Sequence, residues 1–339
     1  MKKILYILSL AAAVAMTSCD HKELCFDHPH NRVYVQVVFD WRNAPDAAPE
    51  SMSLYLFPKD GGKTLRYDFA GRDGGVTQIP VGNYDVVCVN SDTETVQLRG
   101  LDHLPTMEIT TFGASLMSGL GVRSDTVPRA PGTENERMIM APEMLWVGRT
   151  FDILIEKPEI PQTRPSADDQ MIIVYPEEAT CHYSLEIHNA TNLMYVTSLS
   201  GALSGMSGGL LAETMTMKDN RVTMPFPAST DWRVITADWY TFGHCPELDS
   251  DADVDVEAGD DSDGSADSGT RHKLTIYTIL NSGSGYYYTY DVTDQIHAAE
   301  DPHHVHIVLD GLPIPKPTLD GGFRPDVNEW ETEHIDIPM

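Results

Sequence analysis

Residues 76–90 read VTQIPVGNYDVVCVN. Val76, Ile79, Tyr84 and the run Val86-Val87-Cys88-Val89 belong to the β-branched, aromatic and small apolar types that suit a pleated, buried surface. Pro80 and Gly82 interrupt the stretch after four residues of strand character, Val76 to Ile79. The stretch therefore reads as two strands joined at Pro80-Val81-Gly82 rather than as one element. No helical period survives across it.

The pattern spreads in both directions. At 32–39, RVYVQVVF puts Val33, Val35, Val37 and Phe39 on one face of a strand, as a period of two requires. SLYLFP at 53–58 sets Leu54, Leu56 and Pro58 against Tyr55 and Phe57, LRYDF follows at 65–69, and GRDGG at 71–75 is a turn. VQLRG and MEITTF continue the series to residue 112. After an irregular stretch, MLWVGRTFDILIE at 144–156 returns to strand character. Turn signals recurring at intervals of roughly 8 to 15 residues predict an all-β sandwich.

KPEIPQTRPSADDQ at 157–170 carries three prolines and reads as a linker. The expected division is a signal peptide over 1–18, a tether over 19–30, an N-terminal sandwich over 31–156, a C-terminal sandwich over 171–312 and a tail over 313–339. The second half opens with MIIVYP at 171–176 and continues through CHYSLEIHN, LMYVTSLSGAL, RVTMPFP, WRVITADWYTFG, KLTIYTIL, YYYTYDVTDQI and HHVHIVLDGLPIP. LNSGSGYYYTY predicts a hairpin turning at Asn281-Ser282-Gly283.

The chain begins MKKILYILSLAAAVAMTSC. Two lysines, an apolar run and small residues before a cysteine form the layout of an export signal. The apolar run is too short for a spanning helix, which takes about 20 residues. The small residues Thr17 and Ser18 before Cys19 resemble a bacterial lipobox. That resemblance implies cleavage before Cys19 and lipidation of its side chain, with the mature protein held at the outer membrane by acyl chains.

Formal net charge is −28 over 339 residues. An acidic surface lacks the electrostatic footprint of a nucleic-acid binder. Nine acids and no base lie between Asp249 and Asp267, and the insertion over 249–270 is expected to be solvated and disordered. Its Asp-x-Asp pattern fails as a calcium loop, because the sixth position from Asp249 is Val254 rather than glycine. Beyond Cys19, the cysteines are Cys25, Cys88, Cys181 and Cys245. An even number in an exported chain permits two disulfides, and buried free thiols are the equal alternative.

Few motifs invite chemistry. His304 and His306, in HHVH at 303–306, would share one face of a strand about 6.5–7 Å apart, a weak two-histidine metal candidate with no third ligand in view. Residues 205–209, GMSGG, match G-x-S-x-G but lack the strand-to-helix setting of a nucleophile elbow. Trp41, Trp146, Trp232, Trp239, Trp330 and the run Tyr286-Tyr287-Tyr288 are candidate stacking platforms for a glycan; since strand residues alternate faces, at least one tyrosine should point outward. The sequence points to no enzyme and to no cofactor.

CDHKELCFDHPH after the lipobox, VVFDWRNAPDAAPESMSLYLFP, IPVGNYDVVCVN, CHYSLEIHN, SLSGALSGMSGGL, YYYTYDVTDQIH and HIDIPM together resemble a family of Bacteroidales lipoproteins. More distantly, the chain is similar to the fimbrillin superfamily and its fimbrial anchor lipoproteins, with Pro80, Gly82, Tyr84 and Asn90 in matching places. The resemblance implies two tandem transthyretin-like sandwiches. It also implies an anchor or accessory subunit that joins pilin-like partners by strand addition, with residues 20–31 or 313–339 as the mobile strand. Tyr84 should bury its ring and find a backbone partner for its hydroxyl.

Overall fold

The computed structural model describes residues 31–116, 127–159, 164–166, 170–246, 272–317 and 330–331. Cys19, Cys25, the leader and the acidic run 249–267 lie outside the described residues.

The strands in chain order are β1 (Arg32–Phe39), β2 (Ser51–Pro58), β3 (Leu65–Ala70), β4 (Gly74–Pro80), β5 (Gly82–Asn90), β6 (Val96–Arg99), β7 (Glu108–Thr111), β8 (Arg137–Met138), β9 (Trp146–Ile155), β10 (Gln170–Val174) and β11 (Glu177–Glu178). They continue with β12 (Cys181–Ala190), β13 (Val196–Ser207), β14 (Leu210–Leu211), β15 (Thr216–Met217), β16 (Arg221–Pro227), β17 (Ser229–Thr230) and β18 (Ile235–Thr241). β19 (Lys273–Leu280), β20 (Gly285–Asp291), a short helix α1 (Thr293–His297), β21 (His304–Leu312) and β22 (Trp330–Glu331) complete the series.

The protein is all-β and built as two tandem sandwiches. In the first, a sheet ordered β10-β1-β4 faces a sheet ordered β11-β9-β5-β2-β3. Val33, Val35, Val37 and Phe39 from β1 meet Leu54, Leu56, Val86 and Cys88 in one apolar core. Each fully buried valine there stabilises the fold by about 1.5–3 kcal/mol. In the second, β17-β18-β12-β21 faces β22-β20-β19-β13-β16-β8. β12 alternates buried and half-buried residues from Cys181 to His188, as a strand with one wet face must.

The opening stretch does form two strands, but they belong to opposite sheets. β4 pairs with β1, while β5 pairs with β2 and β9. The Pro80-Val81-Gly82 joint is therefore a crossing between layers, not a hairpin. Tyr84 closes it: the ring is buried, and the hydroxyl donates to the Pro80 carbonyl at 2.9 Å. Burial pushes its pKa up to about 12. The expected turn at residues 281–283 is present, with Gly283 at φ +86° between β19 and β20.

Strand pairing departs from the linear division of the chain. Residues 171–174, expected to open the second sandwich, lie in β10, which runs parallel to β1 with Val37 opposite Ile172. Parallel partners are joined by long crossovers, so no local turn signal betrays them. β6 and β7, expected as part of the first sandwich, instead form a small sheet ordered β15-β14-β7-β6 with strands from the second half. Tyr55, Phe57, Val87 and Val89, on the far faces of β2 and β5, join one core with Met107, Ile109 and Leu210.

Candidate functional site

Among the described residues, the sheet edges are informative features for a chain built from sheets. An unpaired edge is a template for another strand unless it is guarded. Three edge strands can be compared.

β3 ends the larger sheet of the first sandwich and alternates half-buried with exposed residues. It carries Arg66 and Asp68, bonded to each other through Arg66 Nε and Asp68 Oδ1 at 2.8 Å. Charges on an edge discourage pairing. β21 ends a sheet of the second sandwich, parallel to β12. There the guard is a side chain: the Gln295 amide nitrogen donates to the Val308 carbonyl at 3.0 Å, and the Val308 N–H donates to Gln295 Oε1 at 2.8 Å. Gln295, on α1, thus imitates the next strand at one point.

β10 differs from both. Its residues, Gln170-Met171-Ile172-Ile173-Val174, carry no charge. Ile172 and Val174 are buried in the first core, whereas Met171 is 55% exposed. Gln36 lies opposite both Met171 and Val76, so the three form a row across the sheet, and Met171 and Val76 are both exposed. Tyr175, next beyond the strand, is also exposed and carries the Arg42 guanidinium 4.7 Å from its ring centre. Two contacts tether β10 from the side: Thr150 donates to the Ile173 carbonyl at 3.0 Å, and Gln170 exchanges two bonds with the Glu156 backbone. Among the described residues, no strand lies on its outer side.

The expected site residues fall as follows. His304 and His306 are exposed on one face of β21, as the alternation required. They take separate partners, His304 Nδ1 with Asp301 Oδ2 at 2.9 Å and His306 Nδ1 with Ser184 Oγ at 2.8 Å. Cys88, Cys181 and Cys245 are buried, and none is joined to another. Cys181 stands opposite Thr241 on β18, but the chain then turns away, and the Cys245 N–H donates to the Gly205 carbonyl of the facing sheet. Cys181 and Cys245 are accordingly not bridged to each other. Burial pushes the Cys88 thiol up to about 12 and the Cys181 thiol up to about 11. Ser207, in the GMSGG motif, is buried with its hydroxyl 2.9 Å from the Gly209 carbonyl and 3.0 Å from that of Lys218. It serves a turn.

The expectation that one of the three tyrosines points outward is overturned. Tyr286, Tyr287 and Tyr288 are all buried. Tyr286 and Tyr288 face the main core, and the opposite face is covered too: Tyr287 packs with Leu116, Tyr277 and Met138 in a separate cluster. Trp41 and Trp239 are likewise buried, while Trp232 is 63% exposed. It sits on the β17–β18 hairpin at φ +73°, a conformation that is costly for a bulky residue. The tail also shows a feature the sequence hid: Trp330–Glu331 forms a short parallel pair with Gly285 and Tyr286 of β20.

A family model described as a domain of unknown function, DUF5119, matches residues 18–227, and the chain belongs to that family. A Bacteroides ovatus protein named "Putative fimbrium anchoring subunit Fim4B" is 26% identical over 202 residues, covering 60% of this chain. The match spans 54% of that relative's length, about half. Among solved structures, a "putative adhesin" from Bacteroides ovatus superposes with a TM-score of 0.55 at 20% identity, over 89% of this chain and 99% of the other. At that identity the likeness establishes the shared fold.

Proposed function

We propose that this chain is a surface lipoprotein acting as a fimbrial anchor or accessory subunit, which joins pilin-like partners by β-strand addition. The observation that carries the reading is the relationship, over 202 residues, to a protein named as a fimbrium anchoring subunit. Its role is mechanical rather than catalytic. Cys19, acylated after cleavage of the leader, holds the base at the outer membrane, facing the cell surface. The uncharged β10 edge, with Met171 beside it, takes an extended segment from a partner, whose backbone extends the sheet while alternate side chains meet the exposed face. The pairing of Trp330–Glu331 with β20 supports a tail that engages a sheet edge as a strand.

The test is site-specific crosslinking in the native bacterium. A photoreactive residue at position 171 should trap a pilin-like protein, and the same residue at position 308 on β21 should not. Fimbriae of normal number, length and retention in a deletion strain would overturn the reading. A Cys19→Ala variant should be released from the membrane fraction.

A second reading rests on Trp232. An exposed indole held at positive φ on a hairpin tip suits stacking against a sugar ring on a surface glycan. Binding to a glycan array that is lost in Trp232→Ala would favour it.

A further inference from the structure

Three histidines distant in sequence meet at one end of the second sandwich. His244 follows β18 and forms an isolated bridge with Met206. His272 immediately precedes β19, and His297 is the last residue of α1. The ring centres of His272 and His297 are 5.2 Å apart, those of His244 and His297 are 5.2 Å apart, and those of His244 and His272 are 5.8 Å apart. His272 is fully buried, His244 is half-buried and His297 is exposed, so the cluster opens to solvent on the α1 side.

The nitrogens are arranged for coordination. His272 Nδ1 lies 3.2 Å from the Ser204 carbonyl, a contact that requires the proton on Nδ1 and leaves a lone pair on Nε2. That Nε2 accepts a hydrogen bond from His297 Nε2 at 3.2 Å, so a metal ion held between the two takes the place of the shared proton, which leaves to solvent. Two imidazole nitrogens each about 2.0–2.1 Å from a zinc ion in tetrahedral geometry stand about 3.3–3.4 Å apart, close to that separation. Ring centres lie about 1.1–1.2 Å behind their nitrogens, so two such ligands have centres about 5.2 Å apart. A carbonyl behind a ligating histidine is the usual means of fixing its tautomer and direction. Among the described residues no group of three or more His, Cys, Asp or Glu stands placed to hold a metal ion, so the site rests on the His272–His297 pair and needs the His244 ring to turn.

We propose that His272 and His297 bind a divalent transition metal through their Nε2 atoms, with His244 turning in as the third ligand. Imidazole donors select zinc, copper or nickel over calcium and magnesium, which prefer oxygen. His244 and His272 lie on either side of the acidic run 249–267 in the sequence. The ion therefore ties His244, after β18, and His272, before β19, to each other and to α1.

The experiment is equilibrium dialysis of the tag-free mature chain against zinc, with excess magnesium present to occupy the acidic run, followed by metal analysis. The native chain should retain about one zinc per molecule, and cobalt substituted for zinc should give a tetrahedral visible spectrum. His297→Ala, at an exposed position, should weaken retention at least tenfold, in line with the loss of one ligand. His272→Gln should do the same, with circular dichroism reporting whether it folds. His304→Ala with His306→Ala should retain zinc as the native chain does. A native chain that holds no zinc, or zinc that survives His297→Ala, would overturn the proposal, and so would zinc lost with His304 and His306.

Discussion

β10 and β21 are both edge strands that run parallel to their neighbours, and the molecule treats them in opposite ways. β21 is nine residues long and displays His304, His306 and Asp310 on its exposed face, and α1 places Gln295 against its open side. β10 is five residues long, uncharged, and shows Met171 to solvent. Protein edges are ordinarily blunted by charge, by covering elements or by brevity. β21 uses two of these devices, and β10 relies on brevity and on the side contacts from Thr150 and Gln170. Under the proposed function, this uncharged edge, with Met171 exposed beside it, is the one offered to a partner strand.

The comparison breaks first if β10 is a loose linker segment rather than a member of the first sandwich. Ile172 is buried opposite Val37. Ile172→Ala should therefore cost about 2–5 kcal/mol, the range for truncating a packed core residue, measured by denaturant unfolding. A loss below about 1 kcal/mol, the scale of surface changes, would place β10 outside the core.

That membership is also where sequence reading reached its limit. The alternation in RVYVQVVF identified β1 and its buried face residue by residue, because a half-buried strand writes its period into local composition. Tyr84 and Pro80 were legible for the same reason: both the joint and its tyrosine lie within five residues. The partner of β1 was not legible, since β10 is reached by a crossover and parallel pairing leaves no turn signature. The three tyrosines misled for a related cause. Alternation says that Tyr287 faces away from Tyr286 and Tyr288, but not that Leu116 and Met138 cover that second face. The histidine cluster was hidden altogether, because its members at 244, 272 and 297 share no spacing, whereas the adjacent HHVH drew notice and proved to be split between partners.

The next largest effect separates the two edges by function. Met171→Lys places a charge on the exposed face of β10 without touching its buried side. Capture of a partner strand should fall at least tenfold, about 1.4 kcal/mol, with the melting temperature unchanged. Val308→Lys, the matching change on β21, should leave capture intact. Equal losses from both would erase the distinction between the edges.

Gln295→Ala tests the guard directly. Removing the side chain deletes two bonds to the Val308 backbone, each worth about 0.5–1.5 kcal/mol in net terms, though water can reach this exposed edge and take their place. The expected loss is about 1 kcal/mol of stability. A rise in self-association by light scattering should accompany it, as the β21 edge opens. Stability lost with no gain in association would mean that Gln295 merely packs α1 and guards nothing.

The smallest effect concerns how firmly β10 is held from the side. Thr150 donates its hydroxyl to the Ile173 carbonyl, and both groups are partly buried. Thr150→Val keeps the shape and removes the donor. The carbonyl then has to find water, which the half-exposed setting allows, so the cost should be about 0.5–1 kcal/mol, the low end for a lost hydrogen bond. The more telling readout is hydrogen exchange. If β10 is a poised acceptor, amides at 171–174 should exchange measurably faster in Thr150→Val while those of β1 near Arg32–Tyr34, beyond the paired register, stay unchanged. Faster exchange throughout β1 would mean that the strand pair opens as a unit. The edge would then be an extension of the core and not a separate surface for a partner.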